Sequence, residues 1–339
     1  MAEALATKYR PKEFPDVCGQ ASVVKILSRQ IEYGEFKNVY LFCGASGCGK
    51  TTCARIFANK INEGIGVPIE IDAASNNGVE NVKNIIKEAA ERSLDSKYKI
   101  YIIDECHSLT NQAWQAFLKC IEEPPKYTIF IFCTTDPQKI PETIQNRVQR
   151  YTFNRISVDK VRDRLGYICR QEGFTNYEES IDYIAKISDG GMRAAISYLD
   201  KCASYNTDLS IENVLTSIGN YSYDTFFTLV NSLVDGDEAT VLKIISDFYD
   251  DGNDLKLFVD QFLSFCLDVA KYSIFKSCDT TRIPTSMEDK LIYATNIENA
   301  SGHFTYVVDR LLSLKNMLKS DSSPKSTIEI VFLQIARCK

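Results

Sequence analysis

Histidine is scarce in this chain, and its cysteines are not spaced for a metal site. It has two histidines, His107 and His303, and twelve cysteines, but no C-x-x-C pair. Cys/His zinc-finger spacing is therefore absent. Cys43, Cys48 and Cys53 surround a glycine-rich stretch, and most of the others stand singly in apolar runs, where a reduced thiol behaves as a small hydrophobe. We expect no zinc site.

Long apolar runs and strongly basic charge are also lacking. No run approaches the roughly 20 apolar residues that cross a bilayer. The N-terminus has no signal-peptide h-region, because charged residues begin at Glu3 and recur at Lys8 and Lys12. These features predict a cytoplasmic protein with no membrane partner. A net charge of −6 argues against a free-standing basic DNA binder, but not against a subunit that meets DNA within an assembly.

One glycine-rich stretch fits the phosphate-loop pattern G-x-x-x-x-G-K-[ST] at every fixed position. The stretch reads Gly44-Ala45-Ser46-Gly47-Cys48-Gly49-Lys50-Thr51. An apolar run of strand length precedes it, and a helical pattern begins at Thr52, which we include among the nucleotide-binding candidates. Lys50 is placed to reach the β- and γ-phosphates, and the Thr51 hydroxyl to bind Mg²⁺. A glycine-rich turn that matches by chance is the alternative, which the flanking strand and helix disfavour.

A second chemical landmark lies about fifty residues further on. Four apolar residues, Ile100 to Ile103, lead into the adjacent carboxylates Asp104 and Glu105. At the carboxyl end of a strand, Asp104 suits Mg²⁺ coordination and Glu105 suits activation of water. Another apolar strand ends at Thr134-Thr135-Asp136, where the Thr135 hydroxyl could contact a γ-phosphate or the attacking water. A simple turn is the alternative for that tripeptide.

The strand signals end before residue 157, and helical patterns follow. We predict three domains: a nucleotide-binding domain over 1–155, a small helical bundle over 156–218, and an all-helical domain over 219–339. The opening segment, broken by Pro11 and Pro15, is predicted to be ordered but irregular. It could fold over a nucleotide base or be a simple N-terminal arm.

These residues resemble the AAA+ clamp-loader ATPases, most closely the family of the bacterial DNA polymerase III gamma and tau subunits. The segments that carry the resemblance are Lys8 to Pro11, Val17 to Gln20, Gly44 to Thr51, Glu70 to Ser75, Asp104 to His107, Leu118 to Pro125 and Thr134 to Lys139. They cover residues 5–205 in the family's order. The region beyond residue 220 matches only in its helical character.

The resemblance implies an α/β P-loop AAA+ domain with a parallel five-stranded sheet, a helical lid and an all-α C-terminal collar. It also implies site roles. Tyr9, Arg10, Pro11 and Val17 are the candidates to lie against adenine. Thr135 matches the strand-tip hydroxyl called sensor 1. Arg193 matches the lid arginine called sensor 2, and Arg147 matches the finger that acts on a neighbouring subunit's ATP.

The chain departs from the family pattern in four places. The cysteine-rich zinc module is replaced by a short link, Glu63 to Val67. Asn146 and Val148 replace the serine and cysteine that flank the finger arginine. Ala194 stands where an acidic residue is usual. The chain also ends where the collar should end, so we expect a short form without the C-terminal extension of tau.

The function implied is that of an ATPase subunit of a DNA replication clamp loader, which uses ATP and Mg²⁺. Its expected partners are other loader subunits in a pentameric ring, a sliding clamp, and primer–template DNA held by its backbone. The helix N-termini near Asn77 and Thr110, with Asn111 or Gln112, are candidates for DNA, and ordinary helix caps are the alternative. The helix around Trp114 and Phe117 is the candidate for the clamp.

The sequence leaves two alternative functions. One is another AAA+ motor, such as a Holliday-junction branch-migration motor, which would need a winged-helix domain after the lid. The all-helical pattern after residue 219 speaks against it. The other is a structural loader subunit whose ATPase has decayed, which the intact Lys50, Asp104 and Glu105 disfavour.

Overall fold

The structure, a computed structural model, describes residues 3–93, 95–219, 221–319, 321 and 323–337. The chain forms two compact units, Met1–Gln171 with Ser188–Asp200, and Glu172–Ile187 with Lys201–Lys339. The three-domain division stays a prediction, and Asn220 and Cys338, which we expected within helical segments, lie outside the described residues. Among the helices described, none is long and apolar enough to cross a membrane.

The first unit is built on a five-stranded sheet in which every pair of neighbours is parallel. The strands are β1 (Val39–Gly44), β2 (Ile69–Asp72), β3 (Lys99–Asp104), β4 (Thr128–Thr134) and β5 (Gln149–Phe153). Their order is β2-β3-β4-β1-β5. Every residue of β4 is buried, as expected for a strand covered on both faces. The carboxyl ends of the parallel strands lie at one edge, where Asp104 is in register with Asp72.

Sixteen α-helices occur in the described residues. The first ten are α1 (Leu5–Lys8), α2 (Ala21–Tyr33), α3 (Lys50–Ile61), α4 (Val79–Ala89), α5 (Asn111–Glu122), α6 (Glu142–Gln145), α7 (Val158–Glu172), α8 (Glu178–Ile187), α9 (Met192–Tyr205) and α10 (Ile211–Ile218). The remaining six are α11 (Tyr223–Asp235), α12 (Glu238–Asp250), α13 (Leu255–Phe275), α14 (Glu288–Ala294), α15 (Ala300–Met317) and α16 (Pro324–Arg337). Short 3₁₀ turns lie at Phe14–Asp16, Cys106–Ser108, Pro137–Lys139, Cys278–Thr280 and Thr285–Met287.

Two hydrophobic cores cover the two faces of the sheet. Helices α2 and α3 contribute to one core, in which Phe57 packs against Tyr40 of β1. Helices α4 and α5 contribute to the other, in which Trp114 and Phe117 pack against Phe132. Trp114 is 1% exposed and Phe117 is fully buried. These two side chains therefore stabilise the core and are not available to a clamp, so a clamp contact by α5 would need other residues.

The buried side chain of Gln20 joins three parts of the first unit. Its amide nitrogen donates hydrogen bonds to the carbonyl oxygens of Cys48 (3.1 Å) and Asn154 (2.7 Å). Its amide oxygen accepts a hydrogen bond from the Asn154 N–H (3.2 Å). Gln20 is 2% exposed. It thus fixes the N-terminal segment against both the glycine-rich loop and the chain just after β5.

In the described residues of the second unit all the regular elements are helices, apart from one isolated bridge between Thr175 and Asp208. Its core is rich in aromatic rings: Phe226 and Phe258 pack together, and Phe262 packs against Phe332 of α16. The sequence predicted no strands in this region, because its apolar residues follow a helical spacing. A parallel five-stranded sheet with a helical C-terminal region confirms the predicted fold class.

Candidate nucleotide-binding site

The glycine-rich loop connects β1 to α3 at the carboxyl edge of the sheet. Gly47 has φ of +71°, and an added Cβ would lie 3.3 Å from the Cα of Gly191. A Cβ on Gly44 would lie 2.3 Å from the carbonyl oxygen of Phe153. Only glycine fits at these two positions without displacing the backbone. The loop is therefore compact enough for its backbone to approach a phosphate chain.

Lys50 is the first residue of α3 and points back over the loop. Its Nζ donates hydrogen bonds to the carbonyl oxygens of Gly44 and Ala45, both at 2.9 Å. The residue is 6% exposed, and a buried ammonium group requires such partners. The first N–H groups of α3 have no partner within the helix and carry its positive dipole end. Ammonium group and helix end together form a site for anions.

The two predicted metal ligands are already in contact. The Thr51 hydroxyl donates a 2.8 Å hydrogen bond to Asp104 Oδ2, and Asp104 Oδ1 accepts one from the Glu105 N–H (3.0 Å). A hydroxyl and a carboxylate are hard oxygen ligands of the kind that Mg²⁺ prefers, particularly beside phosphate oxygens. This donor set, next to a site for anions, fits Mg²⁺ with a nucleotide.

Glu105 is held by groups from two other segments. Its backbone is left-handed, with φ of +46°, an uncommon conformation for a residue with a side chain. Its Oε2 accepts a hydrogen bond from the Thr135 hydroxyl (3.0 Å) and lies 3.2 Å from His107 Nδ1. His107 Nδ1 is also 3.3 Å from the Thr134 hydroxyl. Sequence reasoning paired Glu105 with Thr135 in one site but missed His107, which only the turn after β3 brings back to the carboxylate.

An open cavity of about 200 Å³ collects most of the predicted site residues. It is lined by Tyr9, Arg10, Pro11, Val17, Ser46, Gly47, Cys48, Gly49, Lys50, Thr51, Thr52, Asp104, Glu105 and Arg193 of the predicted set. It is also lined by Ala6, Thr7, Cys18, Ile156, Arg164, Met192 and Ile196, none of which the sequence had singled out for binding. Gly44, Ala45 and Thr135 adjoin it through the hydrogen bonds described above. Of the predicted site residues, only Arg147 neither lines the cavity nor forms a hydrogen bond with a residue that lines it.

The N-terminal segment reaches the cavity with support from α7. The carbonyl oxygen of Tyr9 accepts a 2.8 Å hydrogen bond from Arg164, and the Tyr9 ring meets the Tyr167 ring edge-on at 6.3 Å. The Arg164 guanidinium lies 5.2 Å from the centre of the Tyr167 ring, within cation–π range. The i,i+3 spacing of Arg164 and Tyr167 places them on one face of α7, but no sequence signal links them to Tyr9, because Arg164 bonds a residue that lies 155 positions earlier in the chain.

The segment that carries Arg193 is bonded to the glycine-rich loop. The Met192 N–H donates to the Gly47 carbonyl oxygen (3.0 Å), and Gly191 lies against the same loop. Arg193 lines the cavity as the second residue of α9. This position suits a cation that acts on phosphates bound by the loop.

Arg147 lies apart from its own chain's cavity. Its Nε is 2.8 Å from Glu122 Oε1, and its Nη1 donates to the Thr143 carbonyl oxygen (2.7 Å). Its side chain is 41% exposed. Two anchors leave the guanidinium at the surface, so within this chain it has no role in the cavity.

The cysteines around the loop are buried thiols. Burial raises the pKa of Cys53 to about 12 and raises that of Cys48, although Lys50 opposes the shift at Cys48. A raised pKa keeps a thiol protonated and unreactive at neutral pH. Within the described ranges, no group of three or more His, Cys, Asp or Glu side chains could hold a metal ion, and the lack of zinc stays a prediction.

Comparison with known proteins identifies two matching family models. The model described as "DNA polymerase III, delta subunit" matches residues 67–157, and that described as "DNA polymerase III subunits gamma and tau domain III" matches residues 209–338. The DNA polymerase III subunit tau of Bacillus subtilis is 36% identical over 292 residues, which are 80% of this chain and 52% of that protein. The subunit gamma/tau of Mycoplasma genitalium is 30% identical over 332 residues, or 91% of this chain and 55% of that protein.

The chain is similar to the DNA polymerase III gamma and tau subunits over most of its length. It spans about half the length of the curated relatives it matches. The Escherichia coli subunit tau is a further relative, 31% identical over 267 residues, which are 72% of this chain and 42% of that protein. The family-model match over residues 209–338 covers the helical C-terminal region. In the sequence analysis this region resembled the family only in its helical character.

Solved structures show that this chain has the AAA+ fold. The RuvB Holliday junction branch migration motor of Thermotoga maritima superimposes with a TM-score of 0.52 at 20% identity. The match covers 67% of this chain and 80% of that one. Its R170A variant gives 0.53 at 19% identity over the same shares. At this identity the likeness is evidence of fold alone.

Proposed function

We propose that this chain is the ATPase subunit of a DNA replication clamp loader, in which ATP binding and hydrolysis drive the opening of a sliding clamp and its placement on primed DNA. The single observation that carries the proposal is the contact between the Thr51 hydroxyl and Asp104. It joins the glycine-rich loop to the acidic strand end in a chain similar to the gamma and tau subunits. The chain keeps the residue types that ATP hydrolysis needs, which argues against a decayed ATPase.

The proposed chemistry is phosphoryl transfer to water, which depends mainly on positioning and on neutralising charge. Lys50 would exchange its two carbonyl partners for phosphate oxygens, because an ammonium–phosphate contact is charge-assisted. Thr51 and Asp104 would hold Mg²⁺, which when bound neutralises the charge of the phosphates. Glu105 would orient the attacking water, with Thr135 and His107 positioning its carboxylate.

Two arginines would complete the site from different sides. Arg193 would act on the γ-phosphate within its own subunit, and its place in the cavity lining supports this. Arg147 would act on the ATP of a neighbouring subunit, and its exposure supports an action outside its own chain. Its ion pair with Glu122 would have to open for that role, so Arg147→Ala should leave ATP binding intact and lower hydrolysis only in the assembled loader.

The proposed partners are further loader subunits in a pentameric ring, a sliding clamp and primer–template DNA. Of the two helix N-termini predicted to meet the DNA backbone, that of α4 is the better candidate. Gly78 provides it with no side-chain cap, whereas the Thr110 hydroxyl already accepts a hydrogen bond from the Ala113 N–H at the start of α5. Uncapped N–H groups are free to donate to a phosphate.

Steady-state ATP hydrolysis tests the proposal. The protein is assayed alone, with primer–template DNA, with candidate clamps and partner subunits, and with all of them together. We expect the combination to stimulate hydrolysis, and Lys50→Ala to abolish it. Hydrolysis indifferent to DNA and clamp would overturn clamp loading and keep the ATPase, and RuvB-like activity would then be tested with a Holliday junction. No hydrolysis under any condition would favour a structural subunit.

A further inference from the structure

We infer that Arg10 binds the phosphate chain of the nucleotide rather than its base, as a third cation of the subsite beside Lys50 and Arg193. The inference rests on the proposed function and adds a residue that the family resemblance had put with the adenine contacts. It concerns which part of the ligand Arg10 recognises.

The side chain of Arg10 reaches the beginning of α3. Its Nε donates to the Thr52 hydroxyl at 3.4 Å, a long hydrogen bond. Thr52 is the third residue of α3, so its hydroxyl belongs to the first turn, where N–H groups without helical partners face the loop. An arginine bound there lies at the phosphate end of the cavity, and a planar guanidinium suits phosphate oxygens.

Cations and anions both lie near Arg10, and the repulsion comes from Arg55 and Arg193. Burial lowers the pKa of its guanidinium, and the charge of Arg55 lowers it further, while Glu70 opposes the shift. Arg193 lowers it as well, and Asp104 raises it. Cations gathered at the positive end of a helix repel one another, unlike anions at the same place. A phosphate chain would relieve that repulsion, whereas an uncharged adenine would not.

The backbone around Arg10 is held in place before any ligand arrives. The Arg10 N–H donates to the Thr7 carbonyl oxygen (3.1 Å), and the preceding carbonyl, that of Tyr9, is bonded to Arg164. Pro11 follows and fixes its own φ. A side chain on an anchored backbone loses less entropy when it binds, so the position is suited to recognition.

Nucleotide affinity distinguishes phosphate recognition from base recognition. Dissociation constants of ATP, GTP and inorganic tripolyphosphate are measured for the full chain and for Arg10→Gln, Arg10→Lys and Arg92→Gln. Arg92 is an exposed arginine packed over Tyr127, at the opposite ends of the strands, and serves as the matched control. Circular dichroism melting checks that each variant folds.

We expect Arg10→Gln to weaken ATP and tripolyphosphate equally, by about tenfold, the size of one charge-assisted hydrogen bond. The ATP-to-GTP preference should not change, and Arg10→Lys should lose less because it keeps the charge. Arg92→Gln should bind as the wild type does. Unchanged tripolyphosphate affinity with a lost ATP-to-GTP preference would assign Arg10 to the base and overturn the inference. Unchanged affinity for all three ligands would overturn it too, while wild-type protein that binds no nucleotide would instead overturn the proposed function.

Discussion

The carboxylate of Glu105 is the residue on which hydrolysis most depends in the proposed mechanism. It follows the metal-binding candidate Asp104, and its left-handed backbone turns it toward Thr135 and His107. An amide of the same shape keeps these contacts in part but cannot accept a proton from water. Replacing the carboxylate should therefore impair hydrolysis without impairing ATP binding.

Glu105→Gln should keep ATP affinity within about threefold and lower the hydrolysis rate by more than about a hundredfold, the size of a general-base contribution. Equilibrium binding and single-turnover hydrolysis measure the two effects separately. Glu32→Gln, on the exposed face of α2, is the matched control and should change neither. Hydrolysis by Glu105→Gln at the wild-type rate would show that this carboxylate does not activate the water.

Gln20 connects the N-terminal segment to the glycine-rich loop and to the chain after β5, so replacing it should destabilise all three segments. Gln20→Ala would leave two carbonyl acceptors and one N–H donor without their partner in a buried place. We expect a loss of about 2–3 kcal/mol in the free energy of unfolding. Urea denaturation measures it.

The control for this change is Gln171→Ala at an exposed position, which should stay within about 0.5 kcal/mol of the wild type. Nucleotide affinity should fall for Gln20→Ala as well, because the same side chain holds the glycine-rich loop. Equal stability of the two variants would mean that the three hydrogen bonds are replaced by water without cost.

Local pattern was enough to predict the central strands and most helices. Apolar runs of strand length predicted β1, β3 and β4, and helical spacing predicted α7 and α9. Helix α10 lies within the predicted helical bundle but was not recognised as a separate helix, because it has only eight residues, although Ser210 stands at its N-cap. The side-chain roles of Gln20, His107 and Arg164 could not be predicted, because each depends on a partner far along the chain or on a turn geometry that spacing does not encode.

Buried thiols and phenols across the protein set the response of its stability to alkaline pH. Of the eleven described cysteines, ten are buried and Cys18 is half-buried. Burial raises the pKa of most of them, of which Cys53 and Cys133 are examples, and raises that of Tyr101 to about 12. In the unfolded chain these groups release their protons near their ordinary pKa values, and in the folded chain they retain them.

Above about pH 9 the unfolded state therefore binds fewer protons than the folded state, and the free energy of unfolding falls as pH rises. Each buried thiol contributes up to about 1.4 kcal/mol per pH unit between its unfolded and folded pKa values. Below about pH 7.5 these groups contribute almost no slope, because both states are protonated. Urea denaturation from pH 7 to pH 10.5 should show a plateau followed by a steep fall.

Cys53→Ala is the control for the alkaline response, since it removes one thiol with a pKa of about 12. The variant is less stable at pH 7 because it leaves a small cavity, but its fall above pH 9 should be shallower. A slope that Cys53→Ala leaves unchanged would assign the alkaline response to other groups.

The contact between Gly47 and Gly191 has a consequence for how relatives of this chain can diverge. A side chain at position 47 would need a left-handed backbone and would also approach Gly191 closely. Two separate constraints therefore disfavour any substitution of Gly47. At position 191 an added Cβ would lie 3.2 Å from the Ser188 carbonyl oxygen and 3.3 Å from that of Ser46, so even a methyl group would press on two backbone atoms. Lineages that keep the glycine-rich loop should therefore also keep glycine at position 191, unless the start of α9 has moved.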